Sequence, residues 1–349
     1  MPLEDALDRL DAGLDLAPLA QTYTRLVDRS AAGRATLIAF IAIVVLGGFN
    51  GIAVKFSNQD LAPLWGATLR FAAASLLLFG IVALQRTTLP RGQALIGSIL
   101  YGLLGFAGSY AFVYWGLVEA PAGAAVVILA LVPLLTLLLA VLQGLERFRW
   151  QGLLGALVSM AGIAIVFGDR LGADVPLPSM LAILAGGVCM AETNVVVKRF
   201  PKGNPVANNA IAMGIGAIVL LILSVVSGSP LGLPVSVDSW LAVVYLVTIG
   251  SVVLFMLYLY VIDRWTASAT SYVLLLMPLV AVPAAAFILG EAVTPAFVVG
   301  GLIAMAGVYL GAFAPSLARP LPLLGPRPVA VPAGPTPAGP PECTTIGCP

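Results

Sequence analysis

The sequence predicts an all-α membrane protein of ten transmembrane helices, arranged as two inverted five-helix repeats. Its composition, ten apolar runs of membrane-spanning length and an internal repeat carry that reading. Of the 349 residues, 60% are hydrophobic and only 9% charged, against about 25% charged in ordinary soluble domains. A soluble fold of this composition would have almost nothing polar to present to water, so the solvent is lipid. The net charge of +1 creates no field that would gather nucleic acid. Histidine is absent from the sequence, which removes the commonest proton shuttle and the commonest metal ligand. Cys189, Cys343 and Cys348 do not make a disulfide framework. No metal and no cofactor is expected.

The apolar runs lie at 35–56, 61–84, 93–117, 121–143, 151–168, 179–198, 205–227, 239–262, 267–289 and 295–314. Each is about long enough to cross a bilayer as a helix. Unpaired backbone groups are so costly in hydrocarbon that runs of this length must be helical. Breaks such as Glu119-Ala120-Pro121 separate them. Residues 1–34 are polar. Leu3, Leu7, Leu10 and Leu14 fall at helical spacing, but the segment reads as a loose arm rather than a surface helix. Its acidic start argues against a signal peptide. Beyond residue 315 the chain is rich in proline and glycine and reads as a disordered tail.

Basic residues set the orientation. Arg25, Arg29 and Arg34 precede the first run, Arg86 and Arg91 follow the second, and Arg147 and Arg149 follow the fourth. Lys198, Arg199 and Lys202 end the sixth, Arg264 ends the eighth, and Arg319 follows the tenth. With ten alternating helices all of these share one side, and only Lys55 and Arg170 lie on the other. The positive-inside rule then places both ends of the chain in the cytoplasm of a bacterium, with the spans in its inner membrane.

The second half restates the first. Pro133 and Pro278, Glu146 and Glu291, Gly155 and Gly300, Gly162 and Gly307, and Gly105 and Gly250 all stand 145 residues apart. Asn50 and Asn194, and Lys55 and Arg199, stand 144 apart, so one residue slips between the two blocks. The repeats run 35–168 and 179–314. Five helices is an odd number, so the second repeat enters the membrane from the opposite side. Two such halves exchanging conformations would open one site alternately to either face.

Leu69-Arg70-Phe71 and the doubled runs ALVPLLTLLLAVLQGLE, ending at Glu146, and LLMPLVAVPAAAFILGE, ending at Glu291, resemble the drug/metabolite transporter superfamily in its ten-helix EamA form. The resemblance spans residues 35–314. It implies a central cavity lined by helices 1, 3, 4, 6, 8 and 9, with helices 5 and 10 as outer scaffold. The bacterial amino-acid exporters, aromatic ones among them, are the members it is most similar to.

Candidate site residues follow from what polar chemistry does in lipid. Glu192, within the sixth run, should face a wet cavity or a partner, as a ligand for a substrate ammonium or as a protonatable coupling group. Asn50 and Asn194 offer donors and acceptors without charge, or interhelical glue. Arg70 could attract a carboxylate or be paired internally. Tyr110 and Tyr114 share a helix face; with Phe255 and Tyr272 they would suit a partly apolar substrate. Pro133 and Pro278 each remove a backbone hydrogen bond and are candidate hinges. The glycines of helices 5 and 10 allow close packing, and a homodimer surface is a second use for them. Glu146 and Glu291 stand at helix ends, as caps or as a gate.

The sequence therefore reads as a secondary transporter that exports small amphipathic metabolites, amino acids first and aromatic ones foremost. A sugar-phosphate or nucleotide-sugar antiporter is the alternative, but it would need several buried cations for phosphate. An intramembrane enzyme would need an activated nucleophile, a metal or an acid–base pair, and one buried carboxylate without histidine offers none of these. Substrate and lipid are the expected partners; nucleic acid is not.

Overall fold

The computed structural model describes residues 17–168, 176–289 and 294–313. Ten helices make up the bundle: α1 (Gly33–Ser57), α2 (Pro63–Leu84), α3 (Gln93–Gly116), α4 (Gly123–Leu142), α5 (Trp150–Val166), α6 (Leu177–Arg199), α7 (Pro205–Val226), α8 (Val237–Arg264), α9 (Ala267–Ile288) and α10 (Pro295–Phe313). All but α5 have the length and hydropathy to cross a bilayer; α5 is the shorter apolar helix. Prolines in the first turn of α2, α6, α7 and α10 start helices where a missing N–H costs nothing. The loose arm expected before the first span is corrected in part: helix runs unbroken from Ala17 to Ser57. Leu3, Leu7, Leu10 and Leu14, Arg170, Glu291 and the Pro/Gly-rich tail lie outside the described residues.

Side-chain contacts define the two ends of the bundle. At one, here called the terminal face because α1 enters and α10 leaves there, Gln143 meets Arg199 and Lys202 meets Asp263. At the far face the turn after α1 meets the start of α8. Val235 and Ser236 donate their backbone N–H groups, and Ser236 its hydroxyl, to Asp60 Oδ2 at 2.8–2.9 Å. These donors favour the carboxylate and lower the Asp60 pKa from 3.8 to about 2.

The packing follows the repeat. α2 lies against α7 and α5 against α10, while α1 packs on α8 and α9 as α6 packs on α3 and α4. Exchanging the halves, α1 for α6 and so on through α5 for α10, leaves that list unchanged. Two packings break the symmetry. α6 also touches α8 and the first turn of α9, whereas the matching pairs, α1 with α3 and α1 with α4, make little or no contact among the described residues. The bundle is thus drawn together at the terminal face and looser at the far one.

The α5–α10 crossing shows the repeat at atomic scale. A Cβ on Gly162 would stand 2.4 Å from Ala304 N and 2.6 Å from Gly300 O; one on Gly300 would stand 2.5 Å from Gly162 O. Gly155 and Gly307 approach each other's carbonyls at 2.7 Å in the same way. Ser159 Oγ donates to the Ala304 carbonyl at 3.1 Å, between residues that the repeat itself relates. These glycines therefore pack α5 against α10 within the chain.

Five helices carry irregular turns, α10 in a π-helical last turn at Tyr309–Phe313. Both α3 and α8 pass through a π-helical turn, at Gly102–Gly108 and Thr248–Val253, centred on the repeat-related Gly105 and Gly250. Such turns open the backbone ladder and recur at functional sites. α4 breaks after Leu129 and resumes at Val132, with Pro133 in the first turn of its second half. Pro278 and Pro283 sit inside the continuous helix Val273–Leu289, and the break in α9 falls earlier, at Tyr272.

Candidate functional site

Aromatic rings from α2, α3 and α8 form one connected seam. Phe71 packs edge-on against Phe106 and Tyr110, both at 4.9 Å between centroids. Tyr110 continues to Tyr114 at 5.8 Å. Phe106 also meets Phe255 at 4.8 Å and Tyr101 at 5.1 Å, and Phe255 reaches Tyr258 at 6.3 Å. The spacing on α3 explains its share. Residues 106, 110 and 114 recur every fourth position and so face one way. Tyr110, Tyr114 and Phe255 are only partly buried, whereas Phe71 and Phe106 are fully buried beneath them.

Beside the seam, the π turn of α8 gathers polar groups. Arg70 is buried. Its Nη2 donates to the Gly250 carbonyl and its Nε to Ser251 Oγ, both at 2.7 Å, and its guanidinium carbon stands 5.0 Å from the Phe71 centroid. Asn50 Nδ2 donates to the same Gly250 carbonyl at 3.2 Å. A carbonyl can accept twice, and Gly250 leaves room for it: a Cβ there would meet Asn50 Oδ1 at 2.1 Å. Arg70 is thus paired internally, with a backbone oxygen and a hydroxyl, one of the two uses the sequence offered for it. Tyr114 lies within its electrostatic reach.

At the terminal face a second polar cluster joins α4, α6, α8 and α9. Gln143 Nε2 donates to both carboxylate oxygens of Glu192 at 2.8 Å, and Gln143 Oε1 accepts from Arg199 Nη1 at 3.0 Å. Deeper in, Asn194 donates to Thr136 Oγ1 at 3.2 Å and accepts from the Tyr258 hydroxyl. Gly144, at φ +73°, ends α4 in a left-handed turn open to glycine. The chain then folds back so that Glu146 accepts from the Ser268 N–H at 3.0 Å, capping α9. Among the described residues, every side-chain hydrogen bond joining α4 or this turn to α6, α8 or α9 lies in this half of the bundle.

Three buried polar atoms have no hydrogen-bond partner among the described residues: Asn50 Oδ1, the Tyr101 hydroxyl and Asn209 Oδ1. Buried polar atoms are normally satisfied, so each marks unspent hydrogen-bonding capacity. A cleft of about 520 Å³ opens on the terminal face between α3, α6, α7 and α8, lined by Ser98, Tyr101, Lys198, Lys202 and Arg264 among others. Tyr101 stands between this cleft and the seam.

The residues singled out in the sequence are thus divided among four places. Tyr110, Tyr114 and Phe255 share the seam. Asn50 and Arg70 share the Gly250 carbonyl. Glu192 and Asn194 belong to the terminal-face cluster. Tyr272 joins none of them: it is buried, donates to the Gly152 carbonyl at 3.1 Å and packs on Gly311 of α10. Sequence reading did not single out Tyr258, Gln143, Thr136 or Ser251. The one signal for Gln143 was its place beside the Gly144-Leu145-Glu146 end of the repeat motif.

A bundle built as two like halves, with polar groups gathered inside it around an aromatic seam, defines a polytopic membrane transporter fold. The EamA-like transporter family model matches twice, over residues 34–168 and 177–312, and the chain belongs to that family. The inner membrane transporter YedA of Escherichia coli K12 is 31% identical over 239 residues, 67% of this chain and 76% of that one. A probable terminal-alkyne amino-acid exporter of Streptantibioticus cattleyicolor is 29% identical, over 75% of this chain and 87% of its own. A probable amino-acid metabolite efflux pump of Salmonella typhimurium is 23% identical, over 78% and 93%. A crystal structure at 19% identity superposes with a TM-score of 0.68, covering 79% of this chain and 96% of that one, and supports the fold.

Proposed function

We propose that the chain exports small amphipathic metabolites, amino acids with aromatic side chains foremost, by alternating access of two inverted halves. The observation that carries the substrate class is the half-buried seam of Tyr110, Tyr114 and Phe255 beside the unspent Asn50 Oδ1 and Tyr101 hydroxyl. An aromatic side chain would stack on the rings, and an ammonium would find an acceptor in Asn50 Oδ1. Two relatives named as amino-acid and amino-acid metabolite exporters favour the same class. The sugar-phosphate alternative has less to support it, because Arg70 is the buried cation at the site and both of its bonded nitrogens are already engaged.

Burying a large aromatic side chain contributes about 1.5–3 kcal/mol, roughly ten- to a hundredfold in affinity. In liposomes holding the purified chain, phenylalanine or tryptophan is expected to compete for transport at least tenfold better than alanine. Glucose phosphate is expected not to compete. Tyr110→Ala should narrow the phenylalanine–alanine gap. Best competition by sugar phosphates would overturn the substrate class.

In this reading the terminal face, which carries Arg86, Arg91, Arg147, Arg149, Lys198, Arg199, Lys202 and Arg264, is cytoplasmic. An Arg147→Cys protein in intact cells should resist a membrane-impermeant thiol reagent; ready labelling would reverse the orientation.

A further inference from the structure

We infer that the cleft of the terminal face is a binding site for an anionic phospholipid, with Lys198, Lys202 and Arg264 on its phosphate and its chains along an apolar wall. The inference is independent of the substrate class above. The three cations stand where two helices end: Lys198 in the last turn of α6, Lys202 just beyond it, and Arg264 at the end of α8. Helix ends of a spanning bundle lie at the level of the lipid headgroups. From Arg264 back along α8 the wall continues through Leu259, Leu257 and Met256, the last about 12 Å deeper at 1.5 Å per residue. Val197 and Val196 continue it on α6. A basic rim above an apolar wall repeats the order of groups along a phospholipid, phosphate first and acyl chains beneath.

The rim keeps charge in reserve. Asp263 is the carboxylate among the described lining residues; it pairs with Lys202 and lies 3.9 Å from Arg264 Nη1. Lys198 donates instead to the Asp263 backbone carbonyl at 3.2 Å, and Arg264 to the Tyr260 carbonyl at 3.0 Å. A carbonyl engages an N–H group without cancelling its charge. Three cations against one carboxylate therefore leave the cleft positive. An ammonium carries three donors and a guanidinium five, so each cation still has N–H groups for phosphate oxygens. Asn208 adds to them. Its Oδ1 accepts from the Ser98 hydroxyl at 3.3 Å, which turns its amide hydrogens to other use.

Only one end of the bundle has this chemistry. The repeat mates of Lys198, Lys202 and Arg264 are Val54, Asn58 and Glu119, so the related place at the far face carries no cation. The packing that the two halves share does not require these charges. They belong to the leaflet that the orientation above makes cytoplasmic, where basic pockets between transmembrane helices bind anionic headgroups. A free phosphate would use the rim alone; the apolar wall, in a cleft of about 520 Å³, is what selects a lipid. Tyr101 closes the inner end, so lipid and aromatic seam are separate places.

The test offers the purified full chain, in an uncharged detergent, equal amounts of phosphatidylglycerol and phosphatidylcholine with the same acyl chains. Native mass spectrometry counts the lipid retained. Each surplus cation near a headgroup favours the anionic lipid roughly fivefold, so one phosphatidylglycerol should be retained about tenfold or more over phosphatidylcholine. Equal retention would overturn the proposal. Lys198→Gln/Lys202→Gln/Arg264→Gln should bring the preference to about one. Arg86→Gln/Arg91→Gln/Arg147→Gln, on the same face but outside the cleft, should keep it. A preference that survives the first variant, or falls equally in both, would overturn the site. Glycerol 3-phosphate should not displace the bound lipid; displacement at matched concentration would show a site for a free phosphate and overturn the lipid. If the cleft variant does not fold, the exposed pair Lys202→Gln/Arg264→Gln decides. Its preference should fall about fivefold or more, and an unchanged preference would overturn the proposal.

Discussion

Gly162→Val is expected to leave almost no folded protein. The first added carbon would lie 2.4 Å from a backbone nitrogen of α10 and 2.6 Å from a backbone oxygen. Neither can swing aside as a side chain would. Apolar lipid supplies no hydrophobic force to press helices together, so close contact is what holds α5 to α10. Overpacking a core costs typically about 1–3 kcal/mol and sometimes more, against a total stability of about 5–15 kcal/mol. Here the whole crossing must part, and the Ser159–Ala304 hydrogen bond goes with it. Monodisperse yield after detergent extraction measures the effect. Gly51→Ala is the control, because nothing lies within 4 Å of a Cβ at that position. A yield for Gly162→Val equal to the control would show that the crossing can relax.

Arg70→Met is expected to remove transport and to lower the thermal midpoint. The substitution keeps a long side chain against Phe71 but strips two donors from a buried site. Hydrogen bonds from a charged donor contribute roughly 1.5–3 kcal/mol each. Relief of burying the guanidinium offsets part of that loss. What remains is a π turn whose Gly250 carbonyl keeps only the longer Asn50 bond. Arg70→Lys should rescue poorly, since an ammonium cannot present two donors in a fixed fork. Wild-type transport by Arg70→Met, in the liposome assay, would make the arginine dispensable.

Much of the fold was legible before any coordinates. Hydropathy marked the ten helices, because an apolar run in lipid has one way to satisfy its backbone. Glycines marked α5 and α10 as closely packed helices, because a missing side chain leaves its trace in sequence, but they did not say that the two helices meet each other. The site was less legible. Tyr258 and Gln143 are single uncharged residues, and nothing in their spacing says that one will meet Asn194 and the other Glu192. The π turns of α3 and α8 follow from how neighbouring helices hold the backbone, and apolar periodicity has no term for that. Pro133 marked a real break in α4, but Pro278 did not mark the break in α9. A proline in lipid is tolerated when its neighbours re-satisfy the freed carbonyl, so its presence does not locate a bend. Tyr272 looked like a cavity residue by type and by helix; its hydroxyl is instead spent on Gly152.

The unequal ends of the bundle bear on how its affinity is measured. Thr136, Gln143, Glu192 and Tyr258 cross-link the terminal face, and their repeat mates Ala281, Ile288, Gly48 and Val113 can form no such links. A carrier with this imbalance rests mostly in one orientation. A ligand arriving at the disfavoured face binds with an apparent dissociation constant raised by the reciprocal of that orientation's share. One and the same site would then give different half-saturation constants from the two sides of the membrane. Substitutions that loosen the terminal-face links would bring the two values together without touching a group that contacts substrate.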